Sequence, residues 1–186
     1  MGHNNSSLKM LGSIASGKWI LHYSYLDDCI KANELLQDVK PYEWGNPDND
    51  FLLNVKDQEK QLAATAFRWR KRIGLDKTKG PFSGIKAIVH TTDARKGAFK
   101  RLIVLGKGTV LENVKTPYLD AKGATHCLAE PKKLPSQKLD YEALAKQRVA
   151  VVGPLYIHEF LVSGPSPNVE DFILDDYTAH WKKYKQ

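Results

Sequence analysis

Apolar positions along this chain recur with two periods, and the places where the period changes mark the elements. Leu8, Leu11 and Ile14 fall at helical spacing after a turn-like Gly2-His3-Asn4-Asn5. They predict a first helix, capped by Ser6 or Ser7 and stopped by Gly17. Lys18-Trp19-Ile20-Leu21 reads as a short buried strand, and Tyr25, Leu26, Cys29 and Ile30 form the apolar stripe of a second helix. Residues 37–55, with Pro41, Gly45 and Pro47, read as a connector. Leu62, Thr65, Ala66, Trp69 and Ile73 then predict a long helix over residues 56–73, ended by Gly74. The polar stretch from Asp76 to Pro81 is a candidate boundary.

Beyond Phe82 the pattern alternates between the two periods. Ile85 to His90 predicts a strand, Ala94 to Leu105 a helix, and Gly106 and Gly108 a tight turn into Thr109-Val110-Leu111. Ala124 to Ala129 and Val149 to Val152 are further strands, with helices at Tyr141 to Gln147 and Leu155 to Val162. An order β-α-β-β-α-β-α requires a small, mainly parallel sheet covered by helices, because parallel neighbours need crossovers and both faces must be buried.

Written out this way, the chain repeats itself. Ser13 to Leu21 lies over Ala143 to Val151, and Tyr25-x-x-x-Cys29 lies over Tyr156-x-x-x-Phe160. The first ~36 residues therefore match only the last helix-strand-helix third of the second repeat.

Composition narrows the function classes. The chain has the hydrophobic and charged fractions of an ordinary globular protein, and no run approaches the ~18 apolar residues of a membrane helix. Cys29 and Cys127 stand far apart in apolar segments, which fits buried thiols in a reducing compartment and supplies no metal site. His22, His90 and His126 sit in or beside strands without metal-ligand spacing. The phosphate-binding glycine loop, the Gly-x-Ser-x-Gly elbow and the His-Glu-x-x-His helix are all absent, so the expectation is a non-enzymatic protein with no cofactor. The net charge of +7 points to acidic partners, and part of the surplus sits in Arg68-Trp69-Arg70-Lys71-Arg72. Arg68, Arg70, Lys71 and Arg72 are accordingly a candidate nucleic-acid contact, set against a helix face that meets only water.

The motifs also carry a family resemblance. A helix, a Gly-Lys-Trp-Ile strand and an aromatic-x3-Cys helix resemble the end of a BRCT repeat. The Gly-x-Gly turn after residue 105 and the Thr125-His126 pair resemble the middle of one. The sequence is similar to a tandem BRCT module, an α/β fold with a parallel four-stranded sheet flanked by helices. The resemblance implies a partial first repeat over residues 1–40, a linker over 41–80 with its helix at 56–73, a complete repeat over 81–174, and a basic C-terminal helix or tail over 175–186.

It also implies a function. Tandem BRCT modules act as nuclear scaffolds in DNA replication, repair and checkpoint signalling by binding phosphorylated Ser or Thr in partner proteins. Phosphate recognition needs a cation, hydroxyls and backbone N–H groups converging near a helix N-terminus. Lys9 occupies the family's cation position, while the hydroxyl and N–H groups would come from the part of the first repeat that the motif pattern lacks. In the second repeat Leu139 lies opposite Lys9, Lys138 is one residue out of phase, and no Gly follows Thr91-Thr92, so no pocket is expected there. Asp93, Arg95 and Phe99, at the start of the first helix of the complete repeat, resemble peptide-groove positions, with core packing an equal reading for Phe99. Two other partners follow from the residues: weak DNA contact through the basic run, and self-association through the open edge of the partial repeat. No membrane partner is expected.

Overall fold

The computed structural model describes residues 5–52, 55–163 and 167–184. The chain divides into two units, Met1–Gly80 and Pro81–Gln186.

In the first unit, α1 (Asn5–Ala15) buries Leu11, Ile14 and Ala15. The helix begins before Ser6 and Ser7, so both lie inside it, and the expected turn over residues 2–4 lies outside the described residues. Gly17, at φ +64°, ends α1 in a Schellman motif: its N–H donates to the Ile14 carbonyl and that of Lys18 to Ser13, each at 3.0 Å. The segment after it is not the buried strand expected for Lys18–Leu21. Only Leu21 pairs, as an isolated antiparallel bridge with Glu43, flanked by His22 N–H to Tyr42 O and Trp44 N–H to Ile20 O at 2.8 Å. A lone antiparallel partner covers one edge only among the described residues, and Trp19 stays 42% exposed. α2 (Ser24–Ala32) buries Cys29 and closes on the left-handed Asn33. The connector holds 3-10 turns at Lys40–Tyr42 and Asp50–Leu52. α3 (Asp57–Leu75) packs on α1 and buries Ala63, Thr65 and Ala66. It runs through Gly74, whose neighbourhood is open, and stops where Asp76 turns extended and accepts the Thr78 N–H at 2.9 Å.

The second unit is built on a four-stranded parallel sheet of order β2-β1-β3-β4, formed by β1 (Lys86–His90), β2 (Thr109–Val110), β3 (His126–Ala129) and β4 (Ala150–Val152). The near-continuous apolar runs of β1, β3 and β4 follow from burial on both faces, by α4 (Asp93–Leu105), α5 (Tyr141–Lys146) and α6 (Leu155–Val162). Phe99, Leu102 and Ile103 of α4, Leu144 of α5, and Ile157 and Leu161 of α6 complete the core. Gly106 is required because a Cβ there would stand 2.2 Å from the ring of buried Phe82. A 3-10 turn at Asp175–Tyr177 leads into α7 (Thr178–Tyr184), which packs on α5. Tyr177 is fully buried and its hydroxyl donates to the Val149 carbonyl at 2.6 Å.

The internal repeat is present in the backbone hydrogen bonds, but its register differs by one residue from the sequence alignment over the first helix and strand. Arg148, left-handed at φ +57°, ends α5 as Gly17 ends α1: its N–H donates to Ala145 O and that of Val149 to Leu144 O. Tyr156 N–H reaches Gly153 O as Tyr25 N–H reaches His22 O. A single offset of 131 relates all these bonds. The bridge of Val152 with Ile173 repeats that of Leu21 with Glu43, and the rings of Tyr156 and Phe172 repeat those of Tyr25 and Tyr42, both pairs at 5.4 Å. α7 on α5 likewise repeats α3 on α1.

Candidate functional site

Lys9 lies exposed on α1 and makes no ion pair among the described residues, so its ammonium is available to an anion. The corrected register sets Asp140, not Leu139, opposite it. Asp140 caps α5 by accepting the Ala143 N–H at 2.8 Å, and Glu142 follows in the same turn. A shallow depression lined by Pro117, Leu139, Asp140, Tyr141, Glu142 and His180 lies there. Asp140 and Glu142 thus set two carboxylates at the end of that helix.

Glu142 is the hub of that region. The Tyr184 hydroxyl, the Lys183 ammonium at 2.9 Å and the His180 ring at 3.0 Å all converge on its carboxylate, and together they hold its pKa down at about 2. These contacts tie α7 to α5.

On α4, Asp93 is exposed in the first turn. Arg95 is half-buried, pairs with the Glu130 carboxylate and lies 4.9 Å from the centroid of Phe99. Lys133 shares the same carboxylate at 2.7 Å. The structure thus brings Arg95 and Phe99 together. Phe99 is a core residue, so what it offers a ligand is indirect: its ring supports the guanidinium. Glu130 was not singled out in the sequence. A lone acid just beyond a strand carries no periodic signal, and only the sheet order brings it beside α4.

The basic run on α3 splits by direction. Arg70 forms a bidentate pair with buried Glu43, both bonds at 2.5 Å, and its guanidinium lies 4.0 Å from the Trp19 ring centroid. Arg68 is half-buried, and burial lowers its pKa, with Arg72 nearby adding to the effect. Lys71 and Arg72 are the exposed members, Arg72 lying 5.4 Å from the Trp69 centroid. The glutamate of Tyr42-Glu43-Trp44-Gly45 is therefore structural. Gly45, at φ +86°, is required beside it, since a Cβ would collide with the Ala63 carbonyl at 2.0 Å.

Thr125-His126 joins three elements. The Thr125 hydroxyl accepts the Lys86 N–H at 2.9 Å and meets His126 Nδ1 at 2.8 Å. The His126 ring stacks on Tyr156 of α6, with Nε2 3.2 Å from its hydroxyl. Burial pushes the His126 pKa down to about 4 and the Cys127 thiol up to about 12, so at neutral pH both are uncharged. Among the described residues no group of three or more His, Cys, Asp and Glu side chains is placed to hold a metal ion, and no helix is long and apolar enough to cross a membrane.

No family model matches the chain. Among curated proteins it is similar to SMC5-SMC6 complex localization factor protein 1 of Homo sapiens, with 30% identity over 133 residues, 71% of this chain and 12% of that protein. It is also similar to the Mus musculus protein of the same name, with 26% identity over 180 residues, 96% of this chain and 16% of that protein. The chain thus spans less than a fifth of the length of these relatives. The motifs at Gly17–His22, Tyr42–Gly45, Phe67–Lys71 and Gly97–Leu102 resemble a different protein, the C-terminal repeat pair of DNA topoisomerase II-binding protein 1. The curated relatives bear another name, and the likeness is supported at the level of the tandem repeat fold alone. Among solved structures, the BRCT5-BRCT6 domains of S. pombe Brc1 superpose with a TM-score of 0.57 at 15% identity, covering 92% of this chain and 79% of theirs. With its parallel four-stranded sheet flanked by helices, the chain has the α/β fold of a tandem BRCT structure.

Proposed function

We propose that this chain is part of a nuclear, non-enzymatic adaptor of the DNA-damage response that binds phosphorylated Ser or Thr motifs in replication, repair and checkpoint proteins. The observation that carries the reading is the tandem BRCT likeness over 92% of the chain. The relatives, named as localization factors of the SMC5-SMC6 complex, fit a scaffold role. In this reading Lys9 is the cation for a phosphate, and Asp93 and Arg95, backed by Phe99, are peptide-groove residues of the second repeat. A degenerate phosphoserine and phosphothreonine peptide library, with its unphosphorylated twin, tests it. A charged hydrogen bond to phosphate predicts a preference of about tenfold or more for phosphorylated members. Lys9→Ala removes that preference; equal affinity for both libraries overturns the reading.

A DNA contact is the second reading, favoured by the exposed Lys71 and Arg72 on a chain of net charge +7. Binding to any duplex should then weaken steeply with added salt and fall further in Lys71→Ala/Arg72→Ala. Absence of binding at physiological salt removes it.

A further inference from the structure

All four strands of the sheet in the second unit run parallel, so their amino ends lie side by side at one end of the sheet. Each strand is entered there from a residue with left-handed backbone. Gly84 precedes β1, Lys107 β2, Gly123 β3 and Arg148 β4, at φ of +93°, +67°, +81° and +57°. Glycine adopts that conformation without strain, and two of the four positions use it. The other two hold an exposed base, although the first unit has Gly17 where Arg148 stands. Backbone strain that persists at a charged residue points to a use for its side chain.

The sheet order sets the bases of these entries in a row. Exposed Lys107, Lys86, Lys122 and Arg148 stand at the starts of β2, β1, β3 and β4, in that order. Neighbouring strands are ~4.8 Å apart, so the row extends over about 15 Å. The entry loops, residues 81–85, 106–108, 119–125 and 147–149, carry a single acid, Asp120, whose carboxylate accepts the Lys122 N–H at 3.1 Å. None of the three lysines forms an ion pair among the described residues. The N–H groups of Gly84 and Gly123 likewise have no acceptor there, and the space where a Cβ would stand on either is open. Exposed Thr109 adds a hydroxyl.

Cations, unhindered N–H groups and a hydroxyl along one line are the donor set that holds a sugar–phosphate backbone. Phe82 and Tyr118, the aromatic residues in and beside these loops, are buried, so the bases of a single strand would find nothing to stack on. We propose that the amino end of this sheet binds the backbone of a nucleic-acid duplex, without reading its sequence, through Lys86, Lys107, Lys122 and Arg148. The four bases meet phosphates, and the open N–H groups of Gly84 and Gly123 let the backbone approach between them. This surface is separate from the Lys71 and Arg72 pair on α3 and does not rest on it. It uses neither Lys9 nor Asp93, Arg95 and Phe99.

The probe is a short DNA duplex of arbitrary sequence, titrated onto the whole chain at several salt concentrations. Four phosphate contacts predict that log K falls against log salt with a slope of about −3 or steeper. Lys86→Gln/Lys107→Gly/Lys122→Gln should reduce that slope by about 2 to 3 and weaken binding at low salt by about tenfold or more. Arg148 is left in place because it has contacts within the fold. The three substituted residues are exposed and glycine suits the φ of position 107, so circular dichroism and the urea midpoint should match the parent. Should the variant fail to fold, the amide resonances of Gly84 and Gly123 in the parent decide, because the duplex should shift both. No salt-dependent binding, an unchanged slope in the triple variant, unmoved Gly84 and Gly123 resonances, or tighter binding of a poly-glutamate peptide (an acidic protein as occupant) would each overturn the proposal. A loss confined to Lys71→Ala/Arg72→Ala would overturn it too, while leaving the α3 reading standing.

Discussion

Two stretches of this chain share one plan and differ in what surrounds them. Residues 5–75 and 141–184 each run helix, bridged extended segment, helix, 3-10 turn, return bridge, helix, with the same cap bonds and an equivalent aromatic pair at the same 5.4 Å separation. In the second, a parallel sheet covers the strand and the middle helix. In the first, the described residues offer no such layer, and other interactions hold the elements. Local signals, such as a left-handed residue after a helix or a Tyr four residues before an apolar position, suffice to build the helix-strand-helix element in both settings. Burial is what the setting changes.

That difference is measurable as paired substitutions. Leu161→Ala removes a fully buried side chain and should cost about 2–5 kcal/mol in urea unfolding. Ile30→Ala, its equivalent, removes a mostly exposed one and should stay within about 0.5 kcal/mol. Equal costs would break the comparison, because they would mean that Ile30 is covered in solution. Next in size is the return bridge, where Glu43 stands in the first unit and apolar Ile173 in the second. Arg70→Ala strands the buried Glu43 carboxylate and should cost about 3 kcal/mol. Replacing the pair together, Glu43→Ile/Arg70→Met, imitates the second unit and should recover most of that loss.

How much of this was legible in the sequence divides along the same line. The second unit was readable because strands buried on both faces produce continuous apolar runs and because Gly106 and Gly108 mark a turn that only small residues fit. Lys18–Leu21 has the same composition as such a run, and periodicity cannot report whether a neighbouring strand exists to pair with it. The register slipped by one because Gly17 and Arg148 hold the same left-handed cap with different residues, so matching glycine to glycine was not an option. Gly74 read as a helix stop, yet nothing crowds it and the helix continues to Leu75. Lys9 and Arg95 are candidates from motif position. Glu130 and Glu43 are not, because a counter-charge supplied from 35 and 27 residues away is a property of the fold.

Acid should separate the units further. His126 belongs to the covering layer of the second unit, which has no counterpart among the described residues of the first, and burial lowers its pKa from the ordinary 6.5 to about 4. The folded form therefore binds its proton later than the unfolded form. Its contribution is fully present above pH ~6.5 and is lost as the pH falls toward about 4, reaching about 3 kcal/mol. His90, lowered mainly by burial, adds in the same direction. Hydrogen exchange across this range should show protection falling in β3 and α6 while α1 and α3 change little; His126→Gln should flatten the slope. Parallel loss in both units would show that they do not unfold independently.

The smallest effect concerns the two caps, and its sign differs between them. Gly17 and Arg148 sit at equivalent positions with φ of +64° and +57°, a region that costs an L-residue about 1–2 kcal/mol and glycine almost nothing. Gly17→Ala adds that cost and brings a Cβ to 3.0 Å from Ile73 on the helix packed over it, so it should destabilise the first unit by about 1–2 kcal/mol. Arg148→Gly should move the other way. It relieves the backbone, but glycine widens the unfolded ensemble and the contacts of the arginine are lost, so the net gain should be under about 1 kcal/mol. Urea midpoints of the two variants would then shift in opposite directions. A loss at both sites would mean that Arg148 is kept for its side-chain contacts and that the two caps are alike in backbone geometry but not in what stabilises them.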